Sequence, residues 1–117
     1  MTGLPDAANA RLDRRKITEY LLSSSHPRGA SKAAFFAHFG FRAEEWQVLA
    51  VALLRHAAKE PVIKVVESPH GTRYTVEGPL ETPSGRAPRV RSVWILSEET
   101  RAPRLISAFP APEKRDD

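Results

Sequence analysis

The sequence of 117 residues contains no cysteine. This absence excludes a disulfide framework, a thiol nucleophile and a thiolate metal site. No apolar run approaches the roughly 18 residues of a membrane-spanning helix. The segment Met1–Arg11 also lacks the hydrophobic centre of a signal peptide. We therefore expect a cytoplasmic protein, or an effector domain delivered by other machinery, with no membrane partner.

The composition is that of an ordinary globular domain. Hydrophobic residues make up 41% of the chain and charged residues 27%, which argues against a disordered chain. With 18 Lys and Arg against 14 Asp and Glu, the formal net charge is +4. This length suits one domain. We expect residues 12–110 to form it, between flexible tails at residues 1–11 and 111–117.

The first half of the chain has helical spacing. The segment Leu12–Leu22 predicts a helix with Asp13 as its N-cap. A second short helix is predicted over Lys32–Phe39, capped by Ser31 and ended by Gly40 in a left-handed conformation. The third has an apolar stripe at helical spacing, formed by Trp46, Leu49, Ala50, Leu53, Leu54 and Ala57.

The spacing becomes that of strands after Pro61. Four strands are predicted, over Val62–Glu67, Thr72–Gly78, Arg89–Leu96 and Arg104–Phe109. Their short connections favour an antiparallel meander. The expected fold is α+β, with about three N-terminal helices packed on one face of a four-stranded antiparallel sheet. The other face would be open to solvent or ligand.

Arginines on the predicted strands are candidates for phosphate binding. Strand alternation gives Arg73 one face of its strand, and Arg89 and Arg91 one face of theirs. With Arg104, they approach one another if the register permits, and guanidinium groups grip phosphate in bidentate fashion. The alternative is that they are solvated and paired with the nearby glutamates Glu67, Glu77 and Glu81.

A second candidate cluster joins His26 to Lys32. His26 is suited to general acid or base chemistry near neutral pH, and Lys32 to neutralising developing negative charge. The alternative is that His26 hydrogen-bonds its own loop and Lys32 is simply exposed. Ser107 can place a hydroxyl beside a phosphate, although it is also an ordinary strand residue.

No metal or other cofactor is expected. None of the remaining histidines has a second histidine at i+3 or i+4 together with a carboxylate, as a zinc site requires. His56 is expected only as a residue that favours the C-terminal end of its helix.

Several motifs resemble an uncharacterised bacterial domain family, found alone and at the C-termini of polymorphic toxin-type proteins. The resemblance covers about residues 12–110. It rests on Lys16-Ile17-Thr18-Glu19-Tyr20-Leu21-Leu22, His26-Pro27-Arg28-Gly29, Lys32-Ala33-Ala34-Phe35-Phe36, Thr72-Arg73-Tyr74-Thr75-Val76, Val90-Arg91-Ser92-Val93-Trp94 and Pro103-Arg104-Leu105-Ile106-Ser107-Ala108-Phe109-Pro110.

More loosely, the order of helices and strands is similar to the barnase, EndoU, colicin and RelE-like group of metal-independent ribonucleases. That resemblance implies a toxin-like ribonuclease with RNA as partner and a cognate antitoxin or immunity protein. The implied catalytic residues are His26, Lys32, Arg73, Arg91 and Ser107. The chain departs from the expected pattern where Ser92 and Ser107 stand for threonines and Phe109 for a tyrosine.

The expected function is therefore metal-independent cleavage of RNA by attack of a ribose 2′-hydroxyl on the adjacent phosphate. His26 would be the base, Arg73, Arg91 and Lys32 would stabilise phosphate charge, and Ser107 would position a phosphate oxygen. The alternative is a non-catalytic RNA- or protein-binding interaction module of a toxin/immunity or phage system. The sequence does not indicate an oligomeric state.

Overall fold

Helices precede strands in the computed structural model, which describes residues 3–23, 30–99 and 101–112. Helix α1 is short and continues directly into a π-helical turn. A 3₁₀ turn precedes the longest helix, α3. The bounds are Ala7–Asn9 for a first 3₁₀ turn, Arg14–Lys16 for α1, Ile17–Leu21 for the π-helical turn, Ala30–His38 for α2, Ala43–Glu45 for the second 3₁₀ turn and Trp46–Lys59 for α3.

Two of the three predicted helix end signals are confirmed. The Asp13 carboxylate accepts a hydrogen bond of 2.9 Å from the amide of Arg15, as an N-cap does. Gly40 has a φ of 97°, and just beyond it the Phe41 amide donates to the Phe36 carbonyl at 3.1 Å. The cap predicted at Ser31 is wrong, because α2 already includes Ala30 and Ser31 lies inside it.

The four strands form one antiparallel sheet in sequence order, which confirms the predicted meander. They are β1 at Val62–Ser68, β2 at Gly71–Pro79, β3 at Arg89–Leu96 and β4 at Arg104–Pro110. Since three helices precede this sheet, the predicted α+β class is also confirmed.

The core lies between the helices and the inner positions of the sheet. Alternate residues Val90, Ser92 and Trp94 of β3 are all buried, as period-two alternation requires. Helix α3 contributes the buried residues of its predicted apolar stripe to this core, together with His56. The largest fully buried apolar side chains are Trp94, Phe36, Ile17, Leu21, Leu49, Leu53, Leu80, Val76, Val90 and Pro103.

Strand β4 carries a β-bulge that changes which side chains it buries. Ser107 pairs with Val93, whereas the next residue of β3, Trp94, pairs with Leu105. Ile106 is therefore the extra residue, and Leu105 and Ala108 are both buried despite being three positions apart. Strict alternation along β4 would put these two residues on opposite faces, but the bulge shifts the alternation by one residue.

The N-terminal segment bonds to the outer edge of β4 at the start of the strand. The Arg11 amide donates to the Pro103 carbonyl at 2.8 Å, and the Leu105 amide donates to the Arg11 carbonyl at 2.9 Å. Leu4 is 5% exposed and belongs to the hydrophobic core. Part of the segment that the sequence assigned to a flexible tail thus packs against the domain.

Candidate functional site

Tyr20 lies where the π-helical turn meets strand β4. Ile17 and Leu21 of the same turn are fully buried in the core, so the turn is anchored on that side. Tyr20 itself is half-buried and packs against the core at its border. π-Helical turns of this kind occur frequently at functional sites.

Two lysine side chains flank the Tyr20 ring. The Nζ atom of Lys16 lies 5.2 Å from the ring centroid and that of Lys32 lies 5.3 Å from it. Both distances are within the range of a cation–π interaction. Lys16 is one helical turn before Tyr20 in the sequence, whereas Lys32 comes from the first turn of α2. Two positive charges are therefore gathered around one phenol.

The hydroxyl of Ser107 completes this cluster from the sheet side. Its Oγ atom is buried and has no hydrogen bond of good geometry with any residue in the described part of the chain. It nevertheless faces the Tyr20 phenol closely enough to favour the ionised form. A buried hydroxyl without a partner is uncommon in a folded protein. Bulges such as the one beside Ser107 are over-represented next to active sites, where they re-aim a side chain.

The electrostatics of the cluster favour an ionised phenol. Partial burial raises the pKa of Tyr20, but the Ser107 hydroxyl and the ammonium groups of Lys32 and Lys16 together outweigh it. The net pKa lies below the ordinary value of 10.0. A phenol perturbed by specific charged neighbours is a functional-site candidate on physical grounds. We call Lys16, Tyr20, Lys32 and Ser107 the phenol cluster.

The structure brings together two of the five residues predicted for the site, Lys32 and Ser107, on either side of Tyr20. His26 lies outside the described residues. The sequence also expected a tyrosine at Phe109, and the structure places the phenol of Tyr20 beside Ser107, two residues from Phe109 along β4.

Arg91 is held by an ion pair on the sheet. Its Nε atom lies 2.7 Å from one carboxylate oxygen of Glu77, and Arg89 Nη2 lies 3.0 Å from the other. The hydrogen bonds from Arg91 and Arg89 lower the pKa of Glu77, and burial only partly opposes them. For these two arginines, the structure shows the pairing with a glutamate that the sequence left open.

Arg73 lies at the other end of the sheet. It is exposed and pairs with Ile95, which in turn pairs with Arg104. Strand geometry puts the Cα atoms of Arg73 and Arg91 about 14 Å apart. The sequence predicted that the four arginines approach one another if the register permits. The register does not permit it, because Arg73 and Arg91 lie four residues apart along the paired strands β2 and β3.

His56 is a structural residue, which the sequence did not predict. It is 3% exposed and bonds to Ser92, Gly78 and Val90 of the sheet. Its position near the end of α3 indicated only a favourable interaction with the helix dipole, whereas the structure turns this side chain inward.

The sequence did not indicate Tyr20 and Lys16 as candidate site residues. Their spacing of four places them on the same face of a helix, and this was the available signal. Their proximity to Ser107 depends on how α1 packs beside β4, and this packing cannot be predicted from a local sequence pattern.

Other classes of site find no support in the described part of the chain. Residues 3–23, 30–99 and 101–112 contain no group of three or more His, Asp or Glu side chains that could hold a metal ion. None of the helices in those residues has the length and apolar character needed to cross a membrane.

The chain belongs to a family of unknown function. Residues 3–112 match the family described as Domain of unknown function (DUF6883), in agreement with the expected uncharacterised domain family. No curated protein sequence matches the chain.

The fold is similar to that of a chain in a solved complex of a contact-dependent growth inhibition toxin with an immunity protein, from Klebsiella pneumoniae 342. The TM-score is 0.70 at 18% sequence identity, and the match covers 94% of this chain and 100% of that one. At this identity the similarity establishes a shared fold.

Proposed function

We propose that this protein is a metal-independent ribonuclease domain of a toxin–immunity system. The observation that carries the proposal is the phenol cluster, in which Tyr20 lies between two lysines and a buried hydroxyl that makes no hydrogen bond of good geometry within the described residues. Positive charge, a perturbed acid and a spare hydrogen-bond donor are what cleavage at a phosphate needs. The shared fold with a chain of a toxin–immunity complex supports the toxin context.

The reaction is an internal attack within RNA. The ribose 2′-oxygen loses its proton to a base and forms a bond to phosphorus. The bond from phosphorus to the 5′-oxygen breaks, and an acid protonates that oxygen. We assign the base to His26, which the sequence places shortly before α2. We assign the acid to Tyr20, because the lysines that lower its pKa also stabilise the phenolate left after proton donation.

The remaining residues act on charge and position. Lys16 and Lys32 neutralise the charge that grows on the phosphate oxygens. The Ser107 hydroxyl, which lies beside the Tyr20 phenol in the free protein, turns to donate its hydrogen bond to one of those phosphate oxygens when RNA is bound. Arg91 and Arg73 hold neighbouring phosphates along the sheet, since they lie too far apart to share one phosphate.

The test is cleavage of total RNA in EDTA by the purified protein and its Tyr20→Phe variant. The substitution removes one oxygen atom and keeps the ring. We expect products with 2′,3′-cyclic phosphate ends and a loss of about 10²–10⁴-fold in Tyr20→Phe, the usual worth of general acid–base catalysis.

Matched controls are present in the chain. Tyr74→Phe is the same chemical change on β2 and should cleave as the wild type does. Lys32→Gln should lose activity, whereas Lys59→Gln, which removes an exposed ion pair with Glu81, should not. Equal activity in Tyr20→Phe and Tyr74→Phe would refute the assignment of the phenol cluster. If folded wild-type protein leaves the RNA intact, the proposed ribonuclease activity is refuted.

A second candidate is a module that binds RNA without cleaving it. Arg73 is available for this function too, since it is exposed and makes no ion pair with a residue in the described ranges. Binding without cleavage predicts that the affinity for single-stranded RNA falls with salt, with a log–log slope of about −0.7 per neutralised phosphate.

A further inference from the structure

Strand β1 is an outer strand of the sheet to which no further segment bonds in the part of the chain that the structure describes. The order β1-β2-β3-β4 leaves two outer strands, and the Arg11 segment already bonds to the outer side of β4. Strand β1 pairs with β2 alone, and within the described residues no other backbone bonds to its outer side. A row of unpaired amide and carbonyl groups is a template for another strand.

The same strand exposes large apolar side chains. Ile63 is 46% exposed, Val65 56% and Val66 43%. Five large hydrophobic residues are exposed in the described part of the chain, and three of them are in β1. The other two, Val48 and Val51, lie on α3, whose backbone groups are already bonded within the helix. Apolar side chains on an unpaired edge indicate a strand that is covered in use.

Two positively charged side chains, Lys64 and Arg73, lie on the same face of the sheet near the β1 edge. Lys64 pairs with Thr75 and Val66 with Arg73, so Lys64 and Arg73 are diagonal neighbours about 7–8 Å apart. Neither makes an ion pair with another residue in the described ranges. Glu67 shares the opposite face with Val65. Acidic side chains on a strand added beside β1 would lie next to Lys64, with Arg73 one strand further into the sheet.

We propose that β1 binds an extended segment of an acidic partner protein as a fifth strand of the sheet. Backbone hydrogen bonds supply affinity in this mode of recognition, and alternate side chains supply specificity. Apolar residues of the partner cover Val65 on one face of β1, and Asp or Glu residues face Lys64 on the other. A second copy of this chain fits less well, because it brings the same positive net charge of +4. The proposal does not depend on ribonuclease activity.

The test uses a phage-displayed library of random peptides of about 12 residues, long enough for one strand. The target is the purified protein, and its Val65→Glu variant is the counter-target. We expect enriched peptides that alternate apolar residues with Asp or Glu. Their affinity should fall by about tenfold or more in Val65→Glu, a difference well above that of a neutral surface substitution.

Matched variants distinguish binding at the edge of β1 from effects of added negative charge elsewhere on the protein. Val48→Glu makes the same change at an exposed valine of α3 and should retain peptide binding. Lys64→Glu should weaken binding, whereas Lys59→Glu should not. All four variants should unfold near the wild-type temperature.

Other outcomes overturn the proposal. No enriched acidic pattern, or equal loss of binding in Val48→Glu and Val65→Glu, would contradict an edge site for an acidic strand. A wild-type dimer in sedimentation velocity that is lost in Val65→Glu would assign the edge to a second copy instead.

Discussion

The hydroxyl oxygen of Ser92 lies 2.9 Å from Nδ1 of His56, and both side chains are buried. The same oxygen accepts a hydrogen bond of 2.9 Å from Nε1 of Trp94. Nε2 of His56 faces the carbonyl oxygens of Gly78 and Val90 at 3.1 and 3.0 Å. Since carbonyls only accept, Nε2 carries the proton and Nδ1 accepts from Ser92. The helix is thus bonded to the sheet through a neutral imidazole.

This neutral state predicts a loss of stability on mild acidification. Burial lowers the pKa of His56 below its ordinary value of 6.5, and the carbonyls of Gly78 and Val90 only partly oppose this effect. The unfolded chain therefore takes up the proton first. The free energy of unfolding should be constant just above pH 6.5 and fall below it, by at most about 1.4 kcal/mol per pH unit. Urea unfolding from pH 8 to 5 measures this slope.

The control for this experiment is a second histidine. His38→Gln changes an exposed histidine and should keep the slope. His56→Gln should remove the slope between pH 6.5 and 5 and lower stability at pH 8. A slope that survives in His56→Gln would contradict the assignment to this residue.

Two buried serine hydroxyls predict opposite effects of one substitution. Ser92→Ala leaves the Nδ1 of His56 and the Nε1 of Trp94 without their partner, so we expect a loss of about 1–3 kcal/mol. Ser107→Ala removes a hydroxyl without a partner in the described residues, so stability should stay the same or rise while RNA cleavage falls. Thermal unfolding and the cleavage assay together measure both. A large destabilisation by Ser107→Ala would argue against a functional hydroxyl.

The phenol cluster predicts the alkaline limit of RNA cleavage. If Tyr20 is the acid, activity falls as pH rises through its pKa, which lies below 10.0. Lys32→Gln removes a positive charge beside the phenol, which raises the pKa of Tyr20 toward its ordinary value. The alkaline limb of the pH profile of kcat/KM should therefore move to higher pH. The maximum rate of this variant should also be lower, because Lys32 no longer neutralises phosphate charge. An unmoved limb would assign the acid to another group.

The ion pair of Glu77 predicts tighter RNA binding when the carboxylate is removed. Glu77→Gln releases Arg91 and Arg89 from the interaction that now holds them. The affinity for RNA should rise, and the salt dependence should steepen by about 0.7 for each guanidinium that gains a phosphate. The control is Glu44→Gln, which removes an exposed pair with Arg42 on the helical side. Equal effects of the two variants would indicate net charge alone.

Two glycines with positive φ predict a difference in folding stability. Gly71 has a φ of 132°, and a Cβ atom there would lie 2.7 Å from the Leu96 carbonyl oxygen. Gly85 has a φ of 84°, with nothing within 4 Å of such an atom. Gly71→Ala should destabilise by more than Gly85→Ala, because it adds a backbone clash to the strain that both share. Urea unfolding of both variants measures the difference. Equal losses would mean that strain alone decides the effect.

Local patterns predicted most of the fold. The stripe of α3, the cap at Asp13 and the left-handed Gly40 each depend on residues within two turns of one another. The hairpin between β1 and β2 is predicted for the same reason. The sequence did not predict that the N-terminal segment packs against the domain. Its small and polar residues do not reveal that Leu4 enters the core.

For the candidate site, the sequence indicated individual residues but not their arrangement. Lys32 and Ser107 were singled out by residue type, and the structure places both beside Tyr20. The extra residue at Ile106 could not be predicted, since a bulge depends on how β4 pairs with β3. The pairing of Arg91 with Glu77 was left open because it depends on register across two strands.

The sequence by itself determined the α+β class, the helix and strand order and the positive net charge, since these follow from periodicity, chain order and composition. Only the tertiary structure decided that Tyr20 meets Ser107, that His56 is buried and that β1 is an outer strand of the sheet. These three facts depend on contacts between residues distant in the chain. Their free energies come from packing and desolvation, which no short segment of sequence contains.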